Sequence, residues 1–223
     1  MSDDKDPNLL GRIKDKLIRS KQKTAEEGRH LTGSPDRARE NRLPPGQHLV
    51  EKWPVLDLGV QPDLDKATWK LRIEGLVEKP VTLSFDEFMA LPQMEDVSDI
   101  HCVTTWSRYD NRWAGVPSQA IVDLVVPKAD ARHVIFHAYD GYTTNLTLDA
   151  FLSPDVLIAH SWEGAPLTRE HGGPVRAIVP QWYFWKSAKW IRRIEFSAVD
   201  KPGFWEERGY HNEGDPWTEQ RYG

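Results

Sequence analysis

Cysteine is almost absent: the chain has one, Cys102, in 223 residues. Internal disulfides are therefore excluded, and nothing marks an oxidising compartment. There is no CxxC and no HExxH, so the usual zinc spacings are missing. No apolar stretch approaches the ~18 residues of a membrane-spanning helix. The start, "MSDDKDPNLLGRIKDKLIRSKQ", lacks an apolar h-region, a twin arginine and a small-residue cleavage site, which leads us to expect an unexported, cytoplasmic protein. Basic charge is not in excess either. The formal net charge is −5, against the basic face that nucleic-acid binding requires. Internal repeats and low-complexity segments are also absent.

What is present divides unevenly. Residues 1–48 carry 11 Lys and Arg against 8 Asp and Glu, whereas the whole chain carries 29 against 34, so the body is acidic. Asp6, Pro7 and the stripe Leu9, Leu10, Ile13, Leu17, Ile18 predict a basic amphipathic helix, suited to a membrane surface, a partner or its own domain. "GSPDRARENRLPPGQ" then reads as extended linker. Residues 49–223 read as one domain.

That domain has an α+β pattern. "ATWKLRIEGLV" alternates Trp69, Leu71 and Ile73 as a half-buried strand ending at Gly75. Ser84 and Glu87 have capping-box spacing at the head of a short helix stopped by Pro92. "DVSDIHCV" is a strand, "PSQAIVDLVV" a helix, and "RHVIFHAYDGYTTNLTL" two strands about an Asp-Gly turn. "DVLIAHSW", "PVRAIVP" and "KWIRRIEFSAV" add further strands. Strands separated by short helices without a regular βαβ rhythm predict a mixed β-sheet.

Cys102 admits three readings: a small buried hydrophobe, a catalytic thiolate oriented by a histidine, or a soft metal ligand. An all-protein metal site fits poorly. His101 and Cys102 point to opposite faces of a strand, and His133 and His137 lie roughly 13 Å apart at about 3.3 Å per residue. If Cys102 holds a metal, an organic cofactor must supply the other ligands.

The surrounding residues carry a resemblance. "HCVTTWS" followed by "RWAGVP" resembles the molybdenum-ligating cysteine segment of the sulfite oxidase family. "EGAPLTREHGGPVRAIVPQWYFWKSAKWIRRIEF" is similar to that family's pterin-binding run, and "LRIEGLVEKPVTLSFDEF" to the segment before its cysteine. The likeness covers roughly residues 50–200 and is nearest the short bacterial members, akin to the periplasmic methionine sulfoxide reductase catalytic subunit. It implies an α+β mixed-sheet domain of the sulfite oxidase molybdopterin-binding type. It also implies a molybdenum-molybdopterin cofactor whose dithiolene adds two sulfurs to that of Cys102.

By the same resemblance, Arg176 corresponds to a cofactor-binding arginine, and its planar guanidinium suits phosphate or pterin. Ser187, Ala188 and Lys189 correspond to the phosphate-binding tripeptide, with Lys186 beside them read as solvated. His171 stands where relatives have His or Asn on the cofactor, and His137 falls near the pocket. His160 stands where sulfite oxidases carry a tyrosine beside the substrate; it is a candidate proton carrier or a satisfied strand histidine, and the change speaks against sulfite. As bland alternatives, Arg176 is a strand-edge surface residue, His171 a loop histidine and "QWYFWK" core.

The expected function is therefore oxygen-atom transfer on a small substrate, a sulfite-like oxyanion or a sulfoxide. Electrons would pass through an external donor or acceptor protein, because the chain has no haem-binding segment. It also lacks the dimerisation domain of full sulfite oxidases, which leaves a monomer as the expectation. The alternatives are a cofactor-free thiol enzyme pairing Cys102 with His101 or His160, and a binding protein that kept the fold without turnover.

Overall fold

A computed structural model describes residues 42–223. The basic amphipathic helix and most of the expected linker lie outside the described residues. Among those described, no helix is long and apolar enough to cross a membrane.

Two sheets organise the domain. The first runs β1 (His48–Leu49), β5 (Trp106–Pro117), β8 (Leu157–Trp162), β10 (Arg176–Ile178), with β4 (Met94–His101) also on β5 and β9 (Ala165–Pro166) on β8. The second has the order β3 (Val81–Ser84), β2 (Lys70–Gly75), β11 (Ile191–Ser197), β6 (His133–Ala138), β7 (Thr143–Thr147). Both are mixed, since β1 joins β5 and β11 joins β2 in parallel while the other pairs are antiparallel. Among the described residues three short α-helices accompany them: α1 (Phe85–Met89), α2 (Ser118–Val125) and α3 (Leu148–Phe151). The expected α+β mixed-sheet class is the observed one.

Local chemistry explains the elements. In β2, Leu71 and Ile73 are fully buried while Lys70 and Arg72 are exposed, the period-2 alternation of a half-buried strand. The Ser84 side chain accepts from the Glu87 amide and Glu87 reaches back to Ser84, so α1 begins on a complete capping box. Trp69, Phe88, Phe136, Phe151 and Phe196 fill the core, each burying a side chain worth roughly 1.5–3 kcal/mol on transfer from water. β5 is the strand for which no sequence pattern prepares us. Its middle, Arg108–Arg112, is polar, and the strand is held by β4 on one side and β8 on the other.

Candidate cofactor site

Cys102 opens the turn between β4 and β5. Its N–H donates to the Trp106 carbonyl (2.8 Å), and its carbonyl accepts from the Thr105 amide (3.0 Å) and from Gln47 Nε2 (3.1 Å). Ser107 Oγ donates to Gln47 Oε1 (3.2 Å) and lies 2.8 Å from His101 Nδ1. Thr105 sits at φ 76°, a left-handed conformation costing about 1 kcal/mol or more for a β-branched residue, and the surrounding bonds hold it there. The turn is thus fixed from both strands and from residue 47. Thr104 Oγ1 lies 3.1 Å from the Cys102 sulfur, and both residues are buried.

Cys102 lines an open cleft of about 850 Å³, counting the solvent space at its mouth. His171, Arg176, Ser187, Ala188 and Lys189 line the same cleft, so six of the eight sequence-predicted site residues come together. Arg176, on β10, is buried rather than at a strand edge. Its Nη1 donates to the His171 carbonyl (2.9 Å), its Nη2 to Ser187 (2.7 Å) and its Nε to Ala177 (3.3 Å). A guanidinium has five N–H donors, so two remain. No carboxylate pairs with Arg176 among the described residues. Burial pulls its pKa down to about 9, which leaves it cationic at neutral pH. Phe184 and Trp53 cover it with their rings, 4.4 and 5.2 Å from the guanidinium carbon.

The turn "HGGP" supports this arrangement. A Cβ on Gly172, at φ 102°, would stand 3.0 Å from Lys189 Cβ and 3.2 Å from Arg176 Cβ. One on Gly173 would stand 2.3 Å from the Leu167 carbonyl oxygen. Only glycines let this turn lie against the cationic residues. Ser187 Oγ accepts from the Val179 amide (2.9 Å), while the buried Ala188 N–H has no acceptor among the described residues.

Aromatic rings form the remaining wall. His171 stacks on Trp53 with centroids 3.8 Å apart and planes 7° off parallel. Burial, then the charges of Arg176 and Lys189, push His171 down to about 4, so the stacked ring is neutral. Trp205 and Tyr210 arrive from the C-terminal segment, and Trp106 adds an indole N–H that is buried without a partner among the described residues. Lys186, expected to be solvated, is fully buried: it pairs with Glu206 (2.6 Å) and donates to the Asn145 carbonyl (3.0 Å) and side chain (2.9 Å). Sequence reasoning missed Trp53, Thr104, Trp205, Tyr210 and Glu206, which stand outside the motifs or carry no local signal of their own.

Neither His137 nor His160 is among the residues lining the cleft. His137 on β6 is held by Glu195 of β11, Nε2 to Oε2 3.0 Å. His160 on β8 has Nδ1 2.7 Å from Ser161 Oγ and Nε2 3.2 Å from Gln93 Oε1. It is a satisfied strand histidine, and burial lowers its pKa.

The cleft wall therefore joins a soft sulfur, a buried cation without a counter-ion, and spare N–H donors among flat rings. That donor set fits a flat ligand carrying an anionic group and a soft metal, as molybdopterin does.

Comparison with known proteins agrees. Residues 58–205 match the family described as the oxidoreductase molybdopterin binding domain. A Bacillus subtilis protein named uncharacterized oxidoreductase YuiH is 49% identical over 182 residues, covering 81% of this chain and 92% of its own length. The protein-methionine-sulfoxide reductase catalytic subunit MsrP of Ralstonia nicotianae is 32% identical over 153 residues, 61% of this chain and 46% of its own, so the match spans about half of that relative. Among solved structures, the sulfane dehydrogenase SoxCD from Paracoccus pantotrophus superposes with a TM-score of 0.58 at 22% identity, over 62% of this chain and 40% of that one, and so shares the fold. The chain belongs to the molybdopterin-binding oxidoreductases of the sulfite oxidase family, and its cofactor is molybdenum-molybdopterin.

Proposed function

We propose that the protein carries out oxygen-atom transfer on a small substrate, a sulfoxide or a sulfite-like oxyanion, with Cys102 as the protein ligand of molybdenum. The observation that carries the reading is the presence, in one cleft, of the chain's single thiol and the buried cation Arg176, which pairs with no carboxylate among the described residues. The similarity to MsrP supports the sulfoxide class. When bound, the cofactor supplies two-electron oxygen exchange with the substrate.

The chain's own residues divide the remaining work. Cys102 offers a thiolate on a rigid turn. Arg176 and the Ala188 N–H hold the cofactor's phosphate, with Ser187 and Lys189 completing the grip through a hydroxyl and an ammonium. The neutral His171 and Trp53 form a flat platform, and Trp205 and Tyr210 exclude water from the cleft. An external redox protein exchanges electrons with the site. Residues 49–223, together with Gln47 and His48 that bond the cysteine turn, act as the oxidoreductase domain, while His137 and His160 serve the strands that carry them.

Substitution Cys102→Ser tests the reading. Hydroxyl for thiol is nearly isosteric but a much poorer donor to a soft metal. The variant should keep its melting temperature and lose turnover of a sulfoxide. Wild-type turnover in C102S would overturn the assignment.

A further inference from the structure

We propose that Thr104 is a positioning residue, whose hydroxyl donates a hydrogen bond to the Cys102 sulfur and thereby raises the reduction potential of the bound metal. The inference rests on the reading of Cys102 as the ligand and goes beyond it to a residue outside the cofactor grip.

The geometry is specific. Thr104 Oγ1 stands 3.1 Å from Cys102 Sγ, both residues line the cleft, and both are buried. The hydroxyl has no other hydrogen-bond partner among the described residues. The backbone of the turn does not need it: the Trp106 carbonyl, the Thr105 amide and Gln47 already hold Cys102. Thr104 therefore spends its only polar group on the sulfur.

Chemistry gives the bond its direction. A metal-bound cysteine is deprotonated, so its sulfur only accepts and the threonine donates. Such a bond draws electron density from the thiolate and weakens its donation to the metal. The lower oxidation state loses less by this than the higher one, and the potential rises. Burial of both residues lowers the local dielectric and strengthens such a bond.

The test compares holoenzymes of wild type, T104V, T104A and T104S. Molybdenum content is read by plasma mass spectrometry. The Mo(VI)/Mo(V) midpoint comes from redox titration followed by electron paramagnetic resonance, and the thiolate-to-metal band from absorption. T104V removes the hydroxyl at nearly constant volume and T104S keeps it. We expect equal metal content, a lower midpoint and a red-shifted band in T104V and T104A, and wild-type values in T104S. A wild-type midpoint and band in metal-loaded T104V or T104A would overturn the proposal. Loss of molybdenum in both, with retention in T104S, would also overturn it, by making the hydroxyl a loading contact. The thiolate-to-metal band persisting in C102S would instead refute Cys102 ligation, so the two failures are distinguishable.

Discussion

Arg176 brings a positive charge into the cleft and pairs with no carboxylate among the described residues; Asp57 and Asp140 line the cleft without bonding it, and three backbone carbonyls and two aromatic rings receive the guanidinium. Those carbonyls fix the guanidinium plane, and an anionic group on the ligand would be its direct partner. Arg176→Ala should deplete molybdopterin, because each charge-assisted bond is worth roughly 1.5–3 kcal/mol, or about one to two decades in affinity. Arg176→Lys should fall between the two, since an ammonium cannot span the carbonyls and the phosphate together. Pterin content of the purified variants, read by fluorescence after oxidative release, checks the order. His171 yields a pH prediction. Its folded pKa of about 4 lies below the ordinary value of 6.5. The unfolded chain therefore binds the proton more readily, and the contribution to stability is present above pH 6.5 and lost as pH falls towards 4. His101, also held at about 4 by burial, acts in the same direction. Urea midpoints of cofactor-free protein should decline across that window, and less steeply in His171→Gln. Equal slopes would show that the stacked ring titrates normally.

At the scale of elements, the 3₁₀ turn Phe184–Lys186 is tied to the C-terminal segment by the Lys186–Glu206 pair. Glu206 Oε1 also accepts from Trp185 Nε1 (2.9 Å) and Thr144 Oγ1 (3.1 Å), so the pair stands behind the tryptophan that lines the cleft. Removing one member leaves a buried charge uncompensated, and Lys186→Met should destabilise by about 3–5 kcal/mol. The double variant K186M/E206M should recover most of this loss, because neither charge then remains; denaturant titration of all three proteins tests it. Nothing local announced the pair. Lys186 follows an aromatic run, and its partner lies far along the chain in a segment without a motif. The α1 capping box was legible because both hydrogen-bonding groups lie within four residues. The alternation of Leu71 and Ile73 was legible because one pleat face meets the core. β5 was illegible because its polar centre, Arg108–Arg112, takes its strand form from pairing with β4, while β8 joins only the apolar end from Trp113 onward.

For the molecule as a whole, the cleft is assembled from segments around Trp53, Cys102, Tyr142, the 171–190 run, and Trp205 with Tyr210. The run and the cysteine turn were legible through their resemblance to the family, whereas the two outer walls carry only isolated aromatics. The same dispersal places residues 47–50 inside the domain. His48 N–H donates to the Thr105 carbonyl and Val50 N–H to Ser107, each at 2.9 Å, while Gln47 holds the Cys102 carbonyl. A boundary at 48/49 thus falls within β1 and cuts the support of the turn that presents the thiol. Two truncations separate the contributions. A chain of residues 42–223 should load molybdenum and unfold at the full-length midpoint, because every contact to the cleft described above is kept. A chain of residues 51–223 should lose most of its molybdenum. It gives up the hydrogen bonds that Gln47, His48 and Val50 make to Cys102, Thr105 and Ser107, at roughly 0.5–1.5 kcal/mol each, and frees Thr105 to leave its strained conformation. Metal per chain in the two purified fragments decides the matter: equal loading would mean that the turn is held by β4 and β5 alone.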